Sequence, residues 1–347
     1  MERKLYENIK INKLPNSEVE VSGEIPVNVS DTYKGKAIKK LGEGATVPGF
    51  RKGHIPEPIL IKHLGETHVL EEVARLALAD AYPAIIQEHT IDAIGSPQIA
   101  ITKLAPGNPI EFKITSAVMP DVTLPNYTQI AKEETGKNSE SAEVTDKEVD
   151  GAIENIRKQY ASSQQKQDGS KAEVELPVLN DEFVKKLGDF KGVSDFKEKV
   201  SENMKKEKEW KAREKKRVSI SDEIVKQSTI PLPEIFVESE LSKMLAQFKG
   251  DIKQMGLEEK EYLKKINKTE EDLRKEWRAD AEKRARLQLV LNKIAQEEKI
   301  SAPKDEVDKA VNHFLEHHKD ADKDRLRIYF ESVITNEKVF QFLEGQK

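Results

Sequence analysis

Residues 47–56, with the sequence VPGFRKGHIP, restrict the fold more than any other stretch of this chain. Two prolines and two glycines among ten residues exclude a helix or a central strand, so this stretch is predicted to be a loop. Gly49 and Gly53 permit positive φ angles and therefore sharp turns. Pro48 and Pro56 fix φ on either side. We therefore expect a stiff loop with a defined tip.

The centre of this loop combines an aromatic ring with two cations, at Phe50, Arg51 and Lys52. Such a tip suits docking on a surface that has an apolar notch and anionic surroundings. A basic turn between two helices has a similar composition, so both interpretations stay open. The helix predicted to precede the loop is itself basic. Its lysines are Lys34, Lys36, Lys39 and Lys40.

The first third of the chain mixes strand and helix patterns. Alternating residues predict strands over 4–12, 19–27, 98–103 and 110–118. Three- and four-residue spacing predicts helices from Ser30 or Asp31 to Leu41, over 57–64 and over 66–89. Residues 1–120 are thus expected to form an α+β domain, with an antiparallel sheet packed on helices.

A linker and a helical region are expected to follow. Pro120, Pro125 and the polar stretch 133–141 predict a linker over 121–178, in which a capping box at Thr145 and Glu148 begins one helix, 146–160. The polar residues 161–171 are expected to be a flexible joint. From 179 to 347 every pattern is helical, so an elongated all-α domain with helical arms is predicted.

Composition narrows the function classes. The 347 residues are 37% hydrophobic and 35% charged, which favours long, solvated helices. The net charge of −5 gives no overall attraction to nucleic acid, and the lack of cysteine excludes disulfides and thiolate chemistry. No signal peptide, membrane span, Gly-rich nucleotide loop, cofactor or metal site is expected, and the cytoplasm is the expected location.

Three segments resemble the trigger factor family, the ribosome-associated chaperones of bacteria. The first is 49–53 (GFRKG) with Pro56, which is similar to the ribosome-docking signature of that family. The second is 143–150 (EVTDKEVD), and the third is 175–188 (ELPVLNDEFVKKLG), at the start of the helical region. Together with the order of elements, the resemblance covers essentially the whole chain.

The resemblance implies an ATP-independent chaperone that docks at the ribosomal exit and shields nascent polypeptides during folding or export. Its partners would be the large ribosomal subunit near the peptide exit, through ribosomal protein and rRNA, and unfolded nascent chains. No membrane partner is expected, and whether the protein forms a homodimer off the ribosome stays open. The implied ribosome-binding residues are Gly49, Phe50, Arg51, Lys52, Gly53 and Pro56. Apolar side chains on the helical domain are expected to contact clients: Val237, Leu241, Met244, Phe248 and Met255.

One departure from the family pattern concerns catalysis. Members with the full layout carry a peptidyl-prolyl isomerase domain between the second and third segments, where this chain has only residues 159–174. About sixteen mostly polar residues cannot bury a core of their own. The isomerase domain is therefore expected to be missing, and the chain is expected not to be an enzyme.

Two alternatives remain open on the residues alone. The basic patch over 34–52 could bind nucleic acid, with a steep dependence on salt. The stretch His313-Phe-Leu-Glu316-His317 matches the H-x-x-E-H pattern of zinc metalloproteases, and a helix would bring its two histidines to one face.

Overall fold

The computed structural model describes residues 4–51, 53–137, 143–168 and 176–346, with the side chains of 164–168 left aside. The chain divides into two compact units. One comprises Met1–Thr123 and Thr229–Val290, and the other comprises Leu124–Ser228 and Leu291–Lys347. None of the described helices combines the length and the apolarity that crossing a bilayer requires.

The first unit contains an antiparallel sheet of four strands. These are β1 (Glu7–Leu14), β2 (Glu18–Ile25), β3 (Ala93–Lys103) and β4 (Ile110–Val118). The strands lie side by side in the order β1-β2-β4-β3. On the two central strands, Val21 pairs with Ile114 and Ile25 pairs with Ile110, and all four side chains are buried. The alternation of residues thus places one face of the sheet against a core.

Three helices cover this core: α1 (Val27–Gly44), α2 (Glu57–Leu64) and α3 (Glu66–Glu88). The α+β arrangement predicted for this part of the chain is confirmed. The start of α1 differs from the prediction, because the helix begins after Pro26 and not at Ser30 or Asp31. The Ser30 hydroxyl donates to the carbonyl of Val27 inside the first turn and caps no backbone N–H.

The segment after the sheet holds two helices where one was predicted. The helix α4 (Tyr127–Lys137) was missed, since only Ile130 and Ala131 of it are buried. It contacts the long helix α7 (Val193–Gln227). The helix α5 (Asp146–Asp168) begins at the predicted capping box, in which the Thr145 N–H donates to Glu148 over 2.8 Å. It continues past 160 through part of the expected joint, whose remainder, 169–171, lies outside the described residues.

From 176 to 346 the regular elements are all helices, which confirms the predicted helical region. They are α6 (Asp181–Leu187), α7 (Val193–Gln227), α8 (Glu234–Gln254), α9 (Glu259–Lys265), α10 (Glu270–Glu297), α11 (Lys304–His317) and α12 (Lys323–Glu344). The short α9 was not predicted. The domain limits predicted from the sequence stay a prediction.

A half-buried cluster of ion pairs joins α7 to α12 in the second unit. Arg217 donates to Glu337 over 2.8 Å and to Glu344 over 2.7 Å, and its side chain is only 12% exposed. Arg213 donates to Glu344 over 2.9 Å. Hydrogen bonds from Arg217 hold the pKa of Glu337 below its usual range. Burial acts to raise the pKa of Glu344, but the two arginines lower it overall.

We expect Arg217→Met to lower the free energy of unfolding by about 2 kcal/mol at neutral pH, because it leaves two half-buried carboxylates without their main donor. Both carboxyl pKa values are lowered by folding, so the contribution of the cluster is complete above their unfolded value of about 4.3 and is lost as the pH falls through the folded values. The free energies of unfolding of wild type and variant should therefore approach each other as the pH falls. Urea unfolding of both proteins between neutral and acidic pH measures this.

Lys211→Met on the same helix is the matched control. Lys211 pairs with Glu207 over 2.6 Å, but both side chains are more than half exposed, so the loss should be much smaller. Equal losses in the two variants, or a gap between wild type and Arg217→Met that stays constant with pH, would contradict the assignment.

Candidate functional site

The loop between α1 and α2 is held by backbone hydrogen bonds at both ends. Gly53 N–H donates to the carbonyl of Gly42, in the last turn of α1, over 3.1 Å. Within the loop, Phe50 N–H donates to Val47 over 3.1 Å and His54 N–H donates to Arg51 over 3.0 Å. The Val47 side chain is buried and anchors the first arm of the loop. The predicted loop is therefore present, with two tight turns that define its tip.

Both turns depend on glycine. Gly49 has a φ of 88° and Gly53 a φ of 78°, in the region that side-chain-bearing residues disfavour. Apart from the glycines and their chain neighbours, no heavy atom of the described residues lies within 4 Å of a Cβ placed at either position, so the requirement for glycine comes from the backbone and not from crowding. The tip points into open space.

The tip presents an aromatic ring and a cation to solvent. Phe50 is 39% exposed, a large fraction for a phenylalanine, and Arg51 is also exposed. In the part of the chain that the structure describes, no carboxylate lies within ion-pair distance of Arg51. Lys52 lies outside the described residues. Phe50 and Arg51 are thus accessible to a partner, and the role of all three side chains in docking stays a prediction.

The basic patch on α1 carries less unpaired positive charge than the sequence predicts, because glutamates face two of its four lysines. Lys34 lies 3.8 Å from Glu57, and Lys40 lies 3.3 Å from Glu72. A hydrogen bond from Arg75 and the neighbouring Lys40 lower the pKa of Glu72 to about 2, although burial acts in the opposite direction. Glu72 comes from α3, so sequence proximity gave no signal of this pairing.

The residues predicted to contact clients lie in different environments. Val237 and Leu241 are fully buried and pack with Ala281, in the contact between α8 and α10. Met244 is half-buried against the same cluster. Phe248 packs edge to face on other aromatic rings and is also half-buried, whereas Met255 is 61% exposed. An apolar stripe at helical spacing therefore includes both core and surface, and its contact with clients stays a prediction.

The residues of the H-x-x-E-H pattern do come together at the end of α11. Ligand atoms of His313, Glu316 and His317 lie within 4.8 Å of one another. The side chains of His313 and Glu316 are 78% and 68% exposed, so solvent surrounds them and not the walls of a substrate cleft. The protease alternative gains no support from this arrangement.

Two family models match this chain. One, described as bacterial trigger factor protein, matches residues 7–156, and the other, described as the trigger factor C-terminus, matches 192–343. Together they account for well over half of the chain. Only residues 157–191 lie between the matched segments, too few for a separate isomerase domain.

Curated relatives and a solved structure agree with the family models. The trigger factor of Halalkalibacterium halodurans is 24% identical, with 88% of this chain and 89% of the relative covered. That of Staphylococcus epidermidis is 25% identical over 84% of this chain and 86% of the relative. A solved structure from work on promiscuous substrate recognition by the trigger factor chaperone matches with a TM-score of 0.55 and 17% identity, and covers 98% of this chain and 100% of the other. The chain shares the fold of that structure.

We expect Gly49→Ala and Gly53→Ala each to lower the free energy of unfolding by about 1 kcal/mol, because alanine resists the positive φ angles of the two turns. Chemical denaturation of the purified variants measures the loss. The matched control is Gly35→Ala, in the middle of α1, where there is also no heavy atom within 4 Å of the added Cβ and φ is not positive.

The control should change stability in the opposite direction, by about +0.5 to +1 kcal/mol, since alanine favours a helix over glycine. If the two loop variants gained stability as Gly35→Ala does, the turns would not need their left-handed glycines.

Proposed function

The chain belongs to the trigger factor family of ribosome-associated chaperones, and from this premise we propose that the loop over residues 47–56 docks it at the peptide exit of the large ribosomal subunit. There it shields nascent polypeptides without ATP. The place of action is the cytoplasm, and the free protein can pair into a homodimer away from the ribosome.

The observation that carries this proposal is the exposed tip of the loop, where Phe50 and Arg51 stand side by side in solvent. Burying a phenylalanine ring in an apolar notch contributes about 1.5–3 kcal/mol. A guanidinium can make paired hydrogen bonds with a phosphate or a carboxylate. A tip with both groups fits a site made of ribosomal protein and rRNA together, and the backbone hydrogen bonds of the loop limit the ordering needed on binding.

The nucleic-acid alternative is weaker than the sequence suggested. A module that binds through phosphates needs several free cations on one surface. Lys34 and Lys40 face glutamates, which leaves less unpaired charge over 34–52 than the residue count implies. The aromatic ring at the tip adds affinity for an apolar notch, which a phosphate backbone does not offer.

Clients are proposed to meet apolar side chains of the helical region. Met255 is exposed, and its flexible thioether suits contact with unrelated sequences. Met244 and Phe248 lie in α8, the helix that precedes Met255, and are half-buried. Met244 packs on the buried Val237 and Leu241, in the packing of α8 on α10.

Catalysis of prolyl isomerisation is not part of the proposed function. The family matches leave only residues 157–191 between the N-terminal and C-terminal segments. Of these, 157–168 continue the helix α5 and 181–187 form the helix α6. An isomerase needs an enclosed apolar pocket around the proline, for which this interval lacks the residues.

We expect the combined change Phe50→Ala, Arg51→Ala and Lys52→Ala to weaken co-sedimentation with ribosomes at least about 100-fold, because it removes both the ring that docking would bury and the adjacent charges. Circular dichroism should be unchanged, since Phe50 and Arg51 are exposed.

The matched control removes one exposed aromatic ring and two exposed cations from α12, by Lys323→Ala, Arg325→Ala and Tyr329→Ala. It should sediment with ribosomes as wild type does. Undiminished binding of the loop variant, or equal losses in the two variants, would remove the loop from the docking site without affecting the family assignment.

We also expect no acceleration of prolyl isomerisation. Uncatalysed isomerisation takes tens to hundreds of seconds at room temperature, so a proline-containing peptide followed by its absorbance resolves any catalysis. A peptide is preferable to a refolding protein, because binding by a chaperone changes the refolding rate of a protein without catalysis. A rate that rises in proportion to the concentration of this protein would overturn the expectation.

A further inference from the structure

The last turn of α11 carries the one candidate metal-ligand cluster found in the described residues, His313, Glu316 and His317. The rings of His313 and His317 lie 5.7 Å apart between centroids, and Nδ1 of His313 is 3.5 Å from a carboxylate oxygen of Glu316. The three potential ligand atoms are within 4.8 Å of one another. Small movements of side-chain torsions would bring them to distances of about 2.0–2.2 Å from a common ion.

The helix itself fixes the arrangement. Val307 and Val311 are buried, and Phe314 packs against Phe330 of α12 at 6.0 Å between ring centroids. These residues turn one side of α11 inward. At 3.6 residues per turn, the cluster falls outside this buried stripe, with Glu316 opposite to it and His317 to one side, and all three members are exposed. The backbone positions of the ligands are therefore set by packing that does not involve them.

From this geometry we propose that the end of α11 binds one divalent transition-metal ion, with Zn²⁺ as the reference ion, through His313, Glu316 and His317. Two imidazoles and one carboxylate suit Zn²⁺, Ni²⁺ and Cu²⁺, whereas Mg²⁺ and Ca²⁺ prefer sites made of oxygen atoms alone. Three protein ligands leave a fourth position of a tetrahedral ion to water. The site is independent of the docking loop and of the proposed chaperone function.

The spacing of the second histidine sets this cluster apart from ordinary surface pairs. On α3, His68 faces Glu71 at 3.4 Å with the same spacing as His313 and Glu316, but within the described part of the chain no second histidine joins them. His318 directly follows the cluster, yet its ring stacks on Phe314 at 4.5 Å and is not part of it. His68 and His318 therefore serve as controls, because each is a surface histidine outside the proposed site.

Binding would join residues one turn apart at the end of the helix. The amide of His318 donates to the carbonyl of Phe314 over 3.1 Å, and this is the last bond of the helical ladder of α11. A metal ion held by His313 and His317 restrains the same turn. The ion should therefore slow hydrogen exchange of the amides around 317 and 318, an effect that loose association with surface carboxylates would not produce.

The test is isothermal titration of ZnCl₂ into the full chain without a polyhistidine tag, near pH 7.5, where free imidazole is neutral. We expect saturable binding of one ion per chain. His313→Ala or His317→Ala should each lower the affinity at least about tenfold, because even the loss of a residue that only supports a ligand costs that much. All three cluster residues are exposed, so the variants should fold as wild type does.

His68→Ala and His318→Ala should leave the affinity and the stoichiometry unchanged, and MgCl₂ should give no saturable heat. Slower amide exchange at 317 and 318 should accompany Zn²⁺ in wild type and be absent from the double variant His313→Ala, His317→Ala. Equal Zn²⁺ binding by wild type and the double variant, or no saturable binding by wild type, would overturn the proposal.

Discussion

The close packing of α1 against α3 is the contact on which the loop over residues 47–56 depends. Alanines at the contact, Ala37 of α1 and Ala74 and Ala77 of α3, are fully buried and leave little side-chain bulk between the two helix backbones. Gly42, near the end of α1, is buried as well. A Cβ at Gly42 would lie 3.5 Å from Leu60 of α2. The base of the loop is thus held by packing and by the hydrogen bond from Gly53 to Gly42, while its tip remains solvated.

Much of the fold follows from local patterns, because the elements concerned are stabilised locally. The capping box at Thr145 marked the start of α5, where Glu148 accepts from the backbone N–H of Thr145. Asp272 accepts in the same way from the N–H of Thr269 at the start of α10. The helix α4 has no comparable signal. Its apolar contacts involve Ile130 and Ala131, and its Glu134 accepts a hydrogen bond from Ser219 of α7. Stabilisation by a distant partner leaves little trace in the sequence.

In the candidate site, too, the features set by local residues were predictable and those set by distant partners were not. Two glycines and two prolines were enough to predict an exposed loop, since backbone restrictions are a property of the residues themselves. The partial neutralisation of the basic patch was not predictable, because Glu72 reaches Lys40 from another helix. Nor could the residues show that Leu241 is core and Met255 is surface, although both lie on one predicted apolar segment. An apolar side chain at helical spacing has the same signature whether another helix covers it or not.

The chain passes between the two compact units three times, after Thr123, Ser228 and Val290. The last crossing falls inside α10, a single uninterrupted helix. A gene fragment that ends at 123 therefore omits 229–290, which belongs to the same unit, and no single cut releases either unit whole. Dissection of this protein into contiguous pieces therefore leaves at least one unit without a segment, although a piece ending at 123 keeps every member of the core between the sheet and its three helices.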